Sequence, residues 1–495
     1  MSPVGARGEV GPRGRVRARG EVGRLVDLEL SCAWLVDPAS GREGAADIVI
    51  RRGVLEAVTW LRGRSAEGVD DRGVIVAPGF TDLHAHLREP GNEAAETIAS
   101  GLAAAAHGGF TSVCAMPNTT PALDHSWLVA GFAAAVAASG SPVAAVPYGA
   151  ATAGRAGEQL AALGQLADAG VAGFSDDGAP IRSAALFRSA LAYAGGLGIP
   201  IVDHAEDPAL TEGAEANEGL VATVLGLKGS PAASEASAVA RDLAILADVV
   251  RDVPATRLHL THLSTAASLD LVRRAKASGL PVTCDVTPHH LALTDEWLAG
   301  SRRFAWRALD RRGHPRDPWR DDALTAAPYD SSLRVNPPLR SADDAAACRA
   351  ALTDGTADAI ATDHAPHASV DKDVEFGLAS NGISGIETAL GLVLEAVDAG
   401  QLRLGVAIAA LTTGPSRVLG SRRPRMGGGP PDAGGRLVVG APADLVVFDR
   451  SERWTVRVEG LASRGKNSPL LGRDLAGRVL LTVARGRLAY EAPLE

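Results

Sequence analysis

His84 and His86 stand two residues apart in the segment DLHAHLREPG, residues 82–91. On an extended chain that spacing turns both imidazoles to one side, as two nitrogens must do to share a cation. A lone His-x-His pair is weak evidence of a metal, but the chain adds to it. His204 stands in DHAE, His262 in THLS and Asp363 in TDHAPH, each just past an apolar run. Imidazole combined with carboxylate suits zinc and similar borderline cations. Four histidines and an aspartate suffice for two such cations if an anion bridges them, because two dications close together repel. Asp176 and Asp177 are the candidate bridge, and the residues alone do not choose between them.

These residues need elements that bring them to one place. Short apolar or β-branched runs at 73–78, 110–116, 143–148, 170–175, 199–202, 257–260, 281–286 and 357–361 alternate with longer Ala/Leu-rich stretches. Stretches of helical character cover 93–107, 127–138, 184–197, 235–250 and 266–277. Eight strand–helix units in this length predict an α/β fold, a (β/α)8 TIM barrel. Nearly every run leads into a polar cluster, among them MPNT, DDG, DHAE, THLS, TPHH and TDHAPH. The carboxyl ends of barrel strands share one face, where active sites sit. The clusters therefore converge.

The barrel is expected over residues 73–420, and the rest reads as a companion. Residues 25–72 and 435–495 carry short strand-like runs that predict one small β-sandwich domain formed from both chain ends. Residues 300–329, rich in Arg, Asp, aromatics and proline, predict a surface insertion in the seventh βα loop. Residues 421–434 contain GGGPP and predict a flexible link. Residues 1–24 repeat ARGEVG, have little to bury and predict a disordered low-complexity arm. A net charge of -9 argues against a nucleic-acid partner. No apolar run has membrane-spanning length. Cys32, Cys114, Cys284 and Cys348 are scattered, which excludes a disulfide framework and a zinc–thiolate site and fits the cytoplasm.

In order, the chain has His-x-His, an anion after the fourth run, single histidines after the fifth and sixth, and an aspartate after the eighth. That pattern resembles the amidohydrolase superfamily. Many of its members bridge two metals with a carbamylated lysine from the fourth strand. The lysines here are Lys228, Lys276, Lys372 and Lys466, none of them on the fourth run. Asp176-Asp177 stands there instead, which resembles the bacterial aspartate-bridged (class I) dihydroorotases. DLHAHLREPG, GGFT at 108–111, MPNT at 116–119, SDDG at 175–178, VTPHH at 286–290, VNPPLR at 335–340 and TDHAPH at 362–367 all resemble signatures of that group.

The resemblance implies a reversible, zinc-dependent cyclisation of N-carbamoyl-L-aspartate to L-dihydroorotate, the ring closure of de novo pyrimidine (UMP) biosynthesis. It implies one Zn2+ on His84, His86, Asp177 and Asp363 and a second on Asp177, His204 and His262, with Asp177 as the bridge. A hydroxide bridging the metals would attack the ring amide carbonyl. Asp363, as general acid/base, would carry its proton to the leaving nitrogen. The substrate carboxylate calls for a forked guanidinium, and the family pattern implies Arg88, Asn118 and His367 around it. His86, Asn336, Phe376 and Gly377 complete the implied substrate contacts. His259, His289, His290 and His364 are left either as partners of the ligands or as structural residues. The implied partners are the small-molecule substrate, a second copy in a homodimer, and aspartate transcarbamoylase. Two rival readings stay open: another cyclic amidase of allantoinase or hydantoinase type, and a non-catalytic scaffold for aspartate transcarbamoylase.

Overall fold

The structure is a computed structural model that describes residues 21–63, 68–310, 312–314, 316–320, 323–420 and 434–493. No helix among them is long and apolar enough to cross a membrane. Seven barrel strands fall on the expected runs. Phe110–Ala115, Ala144–Pro147, Ile201–Asp203, Leu258–Leu260, Val282–Val286 and Ala359–Ile360 are parallel strands. The fourth position joins through Phe174, which bridges Gly149 on one side and Ile201 on the other.

The first strand is a correction. Val74–Pro78 is not in the barrel but pairs with Leu28–Asp37 and Leu445–Thr455 in a second sheet. The barrel begins one strand later, at Phe80–Ala85. Both segments are buried on both faces, so their periodicity marks no boundary between them. The boundary is Gly79, where a Cβ would meet Thr111 at 2.3 Å. The barrel closes where Ala85 bridges His364 and the His86 N–H donates to the His364 carbonyl at 2.8 Å.

Helices Ser126–Ala138, Ala184–Gly196, Ala232–Val249 and Ala266–Ala277 follow the expected stretches. The stretch at 93–107 becomes helical only at Ile98, because Thr97 accepts from the Ser100 N–H and caps the helix there. These helices bury Leu102, Phe132, Leu191, Leu246 and Val272 against the strands.

The second sheet has seven strands, drawn from both ends of the chain. Their order is Val54–Trp60, Arg42–Arg51, Leu28–Asp37, Val74–Pro78, Leu445–Thr455, Asp474–Ala484 and Arg487–Glu491. The sheet curls until its two outer hairpins touch, and a Cβ on Gly53 would lie 2.5 Å from the Gly486 carbonyl oxygen. Leu28, Ile48, Leu445, Leu481 and Leu488 fill the inside of the resulting sandwich. Ile75, Val446, Phe448 and Val479 face the other way and belong to the barrel's own core.

Two further expectations are corrected. Residues 1–20 of the expected arm lie outside the described residues, but 21–24 run beside the last strand, where the Gly23 N–H donates to the Leu488 carbonyl at 2.8 Å. That pairing uses backbone groups and needs no apolar side chain. The segment from 300 is not wholly superficial: Ser301, Phe304, Ala305 and Ala308 are buried. Arg473 lies 4.1 Å over the Phe304 ring and Trp306 stacks on Phe304 at 4.8 Å, so the aromatics pull the start of the loop inward. Of the expected link at 421–434, all but Gly434 lies outside the described residues.

Candidate metal centre and active site

Strand ends from all round the barrel deliver their polar residues to one buried point beside Asp177. Its Oδ1 lies 3.5 Å from His84 Nε2, 3.4 Å from His204 Nδ1 and 3.6 Å from His262 Nε2. Its Oδ2 lies 3.7 Å from His86 Nε2. Asp363 Oδ1 faces the same two first-strand histidines, 3.5 Å from His84 Nε2 and 3.3 Å from His86 Nε2. All six residues are buried. Arg88, His262 and Asp363 adopt positive φ of 59°, 41° and 46°. Non-glycine residues seldom hold that conformation, and it clusters where function demands it.

The two aspartates, equivalent in sequence, separate here. Asp176 is spent on its own loop, accepting from the Ala151 N–H at 2.9 Å, the Thr152 N–H at 3.0 Å and the Thr152 hydroxyl. Asp177 turns to the histidines.

These separations fit shared cations better than direct hydrogen bonds. Two donors about 2.1 Å from one tetrahedral zinc lie roughly 3.4 Å apart. His84 Nε2, buried between two carboxylates, makes no hydrogen bond of ordinary geometry among the described residues. His84, His86 and Asp177 form one set able to hold a cation, and Asp177, His204 and His262 form another. The charge pattern agrees. Burial works to raise Asp177 and Asp363, but the surrounding imidazoles outweigh it and hold both carboxyls below the usual range. Burial likewise opposes charge on His84 and His204, yet Asp177 draws them up to about 9 and about 10. His86 goes the other way, lowered by burial and by Arg88. Each lysine ammonium is engaged elsewhere: Lys228 on the Glu212 carbonyl, Lys276 on Asp358, and Lys372 and Lys466 on other backbone carbonyls.

Three of the imidazoles have a partner on the ring nitrogen that faces away from Asp177, as metal-bound imidazoles require. His84 Nδ1 lies 2.8 Å from Thr261 Oγ1, and His86 Nδ1 lies 2.9 Å from Asn118 Oδ1. His204 Nε2 lies 3.1 Å from Glu206 Oε2. His262 is positioned through its main chain, its backbone N–H donating to Asp285 Oδ1 at 2.6 Å, and Asp285 also holds His259 Nε2 at 2.8 Å. Asp82 accepts from Thr362 and so pins the His84 strand to the Asp363 strand. Thr261, Glu206 and Asp285 were not singled out in the sequence. Only the spacing of Glu206, two residues past His204, carried a signal.

The remaining candidates lie around this cluster. Asn118 Nδ2 reaches Asp177 Oδ2 at 3.4 Å. Arg88 Nε donates to the Pro366 carbonyl at 3.1 Å, and its Nη2 lies 3.2 Å from His367 Nε2. Burial lowers Arg88 to about 10, and burial with the Arg88 charge takes His367 to about 3. A charged guanidinium beside a neutral imidazole is a seat for a carboxylate. Asn336 Nδ2 donates to Glu206 at 2.7 Å and lies 3.3 Å from His204 Nε2. Phe376 and Gly377 sit further out, in a single turn where Arg334 holds the Phe376 carbonyl at 2.7 Å and Glu215 crowds Gly377.

Comparison with known proteins gives a consistent result. Residues 73–267 match the dihydro-orotase-like family. A dihydroorotase of Anaeromyxobacter dehalogenans is 45% identical over 92% of this chain and 96% of its own length. One from a Geobacter species is 42% identical over 94% and 100%. Among solved structures, L-hydantoinase (dihydropyrimidinase) from Arthrobacter aurescens superposes with a TM-score of 0.73 over 95% of this chain and 97% of that one, at 22% identity. A D-hydantoinase gives 0.69 over 94% and 95%, at 21% identity. The structural likeness speaks for the barrel-and-sandwich fold.

Proposed function

The chain belongs to the dihydroorotase family, and on that premise we propose that it interconverts L-dihydroorotate and N-carbamoyl-L-aspartate at the Asp177 cluster. The spacing around Asp177 carries this reading, with three imidazoles from three strands within 3.4–3.6 Å of one carboxylate oxygen. His84, His86, Asp177 and Asp363 would hold one divalent cation, and Asp177, His204 and His262 the other. An imidazole–carboxylate set without sulfur favours zinc. Bound there, the cations would supply Lewis acidity and make water nucleophilic near neutral pH.

The protein's own groups do the rest. Arg88, His367 and Asn118 seat the exocyclic carboxylate, which places the ring amide over Asp363. As the water oxygen bonds to the carbonyl carbon, the Asp363 carboxylate takes the water's proton. As the ring C–N bond breaks, Asp363 returns that proton to the departing nitrogen. Closure runs the same steps in reverse. Asn336 and the backbone at Phe376–Gly377 hold the ring edge.

Ring opening of dihydroorotate by zinc-loaded protein, with hydantoin and allantoin alongside, tests this reading. Turnover of dihydroorotate alone, abolished by chelation, is expected. Metal binding without turnover of dihydroorotate would overturn it.

A further inference from the structure

The turn after the seventh barrel strand carries two adjacent imidazoles with opposite fates. It is the short helix Pro288–Ala292. His290 is fully used: its Nδ1 lies 2.8 Å from Thr287 Oγ1, and its Nε2 lies 3.2 Å from both the Pro337 and Pro338 carbonyls. It thereby anchors the stretch that begins with Asn336. His289 is 3% exposed, and among the described residues its Nε2 has no hydrogen-bond partner. Its ring packs on that of His290, at 4.6 Å between centroids.

A buried polar nitrogen left unmatched costs about 1–3 kcal/mol, whereas an apolar side chain of similar size costs nothing of the kind. The surroundings explain what that nitrogen serves. The strand leading into it, Val282–Val286, pairs with Leu258–Leu260 on one side and Ala359–Ile360 on the other, so the turn opens between the strand ends that carry His262 and Asp363. Burial holds the His289 imidazole in the neutral form. A neutral imidazole offers one N–H donor and one acceptor nitrogen. A cyclic ureide has the complementary equipment, two ring N–H groups and two carbonyls. Arg88, Asn118 and His367 are directed at the carboxylate, so the ring edge is served only by Asn336 and the backbone at Phe376–Gly377.

We propose that His289 is a further substrate-binding residue, whose unspent ring nitrogen hydrogen-bonds the polar edge of the cyclic ureide beside Asp363. This rests on the dihydroorotase reading and adds to it a contact made by the seventh strand's turn.

The test compares metal-loaded full-length wild type with His289→Leu and His289→Asn. Four quantities are measured: metal content, melting temperature, calorimetric binding of orotate as an unreactive ring analogue, and ring opening of dihydroorotate. The leucine variant is expected to keep its metal and to melt at or above the wild-type temperature. It should bind orotate at least tenfold more weakly and lose at least tenfold in kcat/KM. Asparagine, which keeps a donor and an acceptor, should recover part of both losses. Orotate affinity and kcat/KM within twofold of wild type in the leucine variant would overturn the proposal. Loss of metal or early melting in both variants would also overturn it, by assigning His289 a structural role. Wild type that binds metal yet fails to open dihydroorotate would instead fell the underlying reading and this inference with it.

Discussion

At the scale of single residues, the proposed centre would separate holding a metal from moving a proton. Asp363 meets two histidines through one oxygen, Oδ1. In Asp363→Asn the amide oxygen can take that place, but the side chain can no longer accept a proton. Metal content near wild type with a fall in kcat of about 100- to 10,000-fold is expected, the range general acid–base groups supply. Full turnover would assign the proton transfer elsewhere. Thr261→Val tests the support beneath a ligand. The valine is nearly the same shape but leaves His84 Nδ1 without its 2.8 Å partner. Metal affinity, followed by chelator competition, should weaken about 10- to 100-fold. The ligand candidates were legible in the sequence because each follows an apolar run. Their supports were not, since Thr261 meets His84 and Asp285 meets His262 across strands, and a sequence carries no cross-strand register. The family resemblance pointed to Asp177, but the residues by themselves did not separate it from Asp176, because Thr152, which engages Asp176, lies on another loop.

At the scale of elements, the alternation of runs and helical stretches gave seven barrel strands and most helices nearly in place. It failed where two strands abut without a polar break, at Val74–Pro78 and Phe80–Ala85. It also failed where aromatics draw a loop inward, from Trp297 to Trp306. The turn Asp295–Ala299 at the root of that loop has a measurable weakness. Asp295 is buried, and burial, with Glu296 and Asp344 nearby, raises its carboxyl to about 6 while Asn217 Nδ2 donates to it at 3.0 Å. The folded carboxyl thus binds its proton more tightly than the unfolded one. Its penalty is absent below the unfolded value, grows as pH rises and is complete above about 6. Asp295→Asn keeps an oxygen for Asn217 and removes the charge. At about pH 8 the variant should gain at most roughly 3 kcal/mol, and the difference in melting temperature should vanish below about pH 3. A melting temperature for the variant below wild type at pH 8 would contradict this account.

At the scale of the whole molecule, the second sheet fills its own inside but lends its other face to the barrel's core. Val446, Phe448, Ala476 and Val479 from the last strands lie in one apolar cluster with Phe80, Phe110 and Leu394 of the barrel. The fit is close, since a Cβ on Gly477 would lie 2.1 Å from a Leu394 methyl. The Thr482 hydroxyl donates to the Ala106 carbonyl at the end of the first barrel helix, at 2.7 Å. Calorimetry should therefore show one unfolding transition, and a chain ended at Gly440 should fail to yield a folded barrel by circular dichroism. Two well-separated transitions would refute the shared core. That both chain ends contribute strands could be read from the sequence, but that one of those strands lies between the two contributions could not. Val74–Pro78 is flanked by Leu28–Asp37, made before it, and by Leu445–Thr455, made near the end. On a ribosome adding about 5–20 residues per second, that strand waits tens of seconds with one edge bare. The catalytic barrel can be almost completely synthesised while its neighbouring sheet still offers a sticky apolar border to other nascent chains. Yield in a cell should therefore depend on translation speed and holding chaperones more steeply than the stability of the finished protein would suggest.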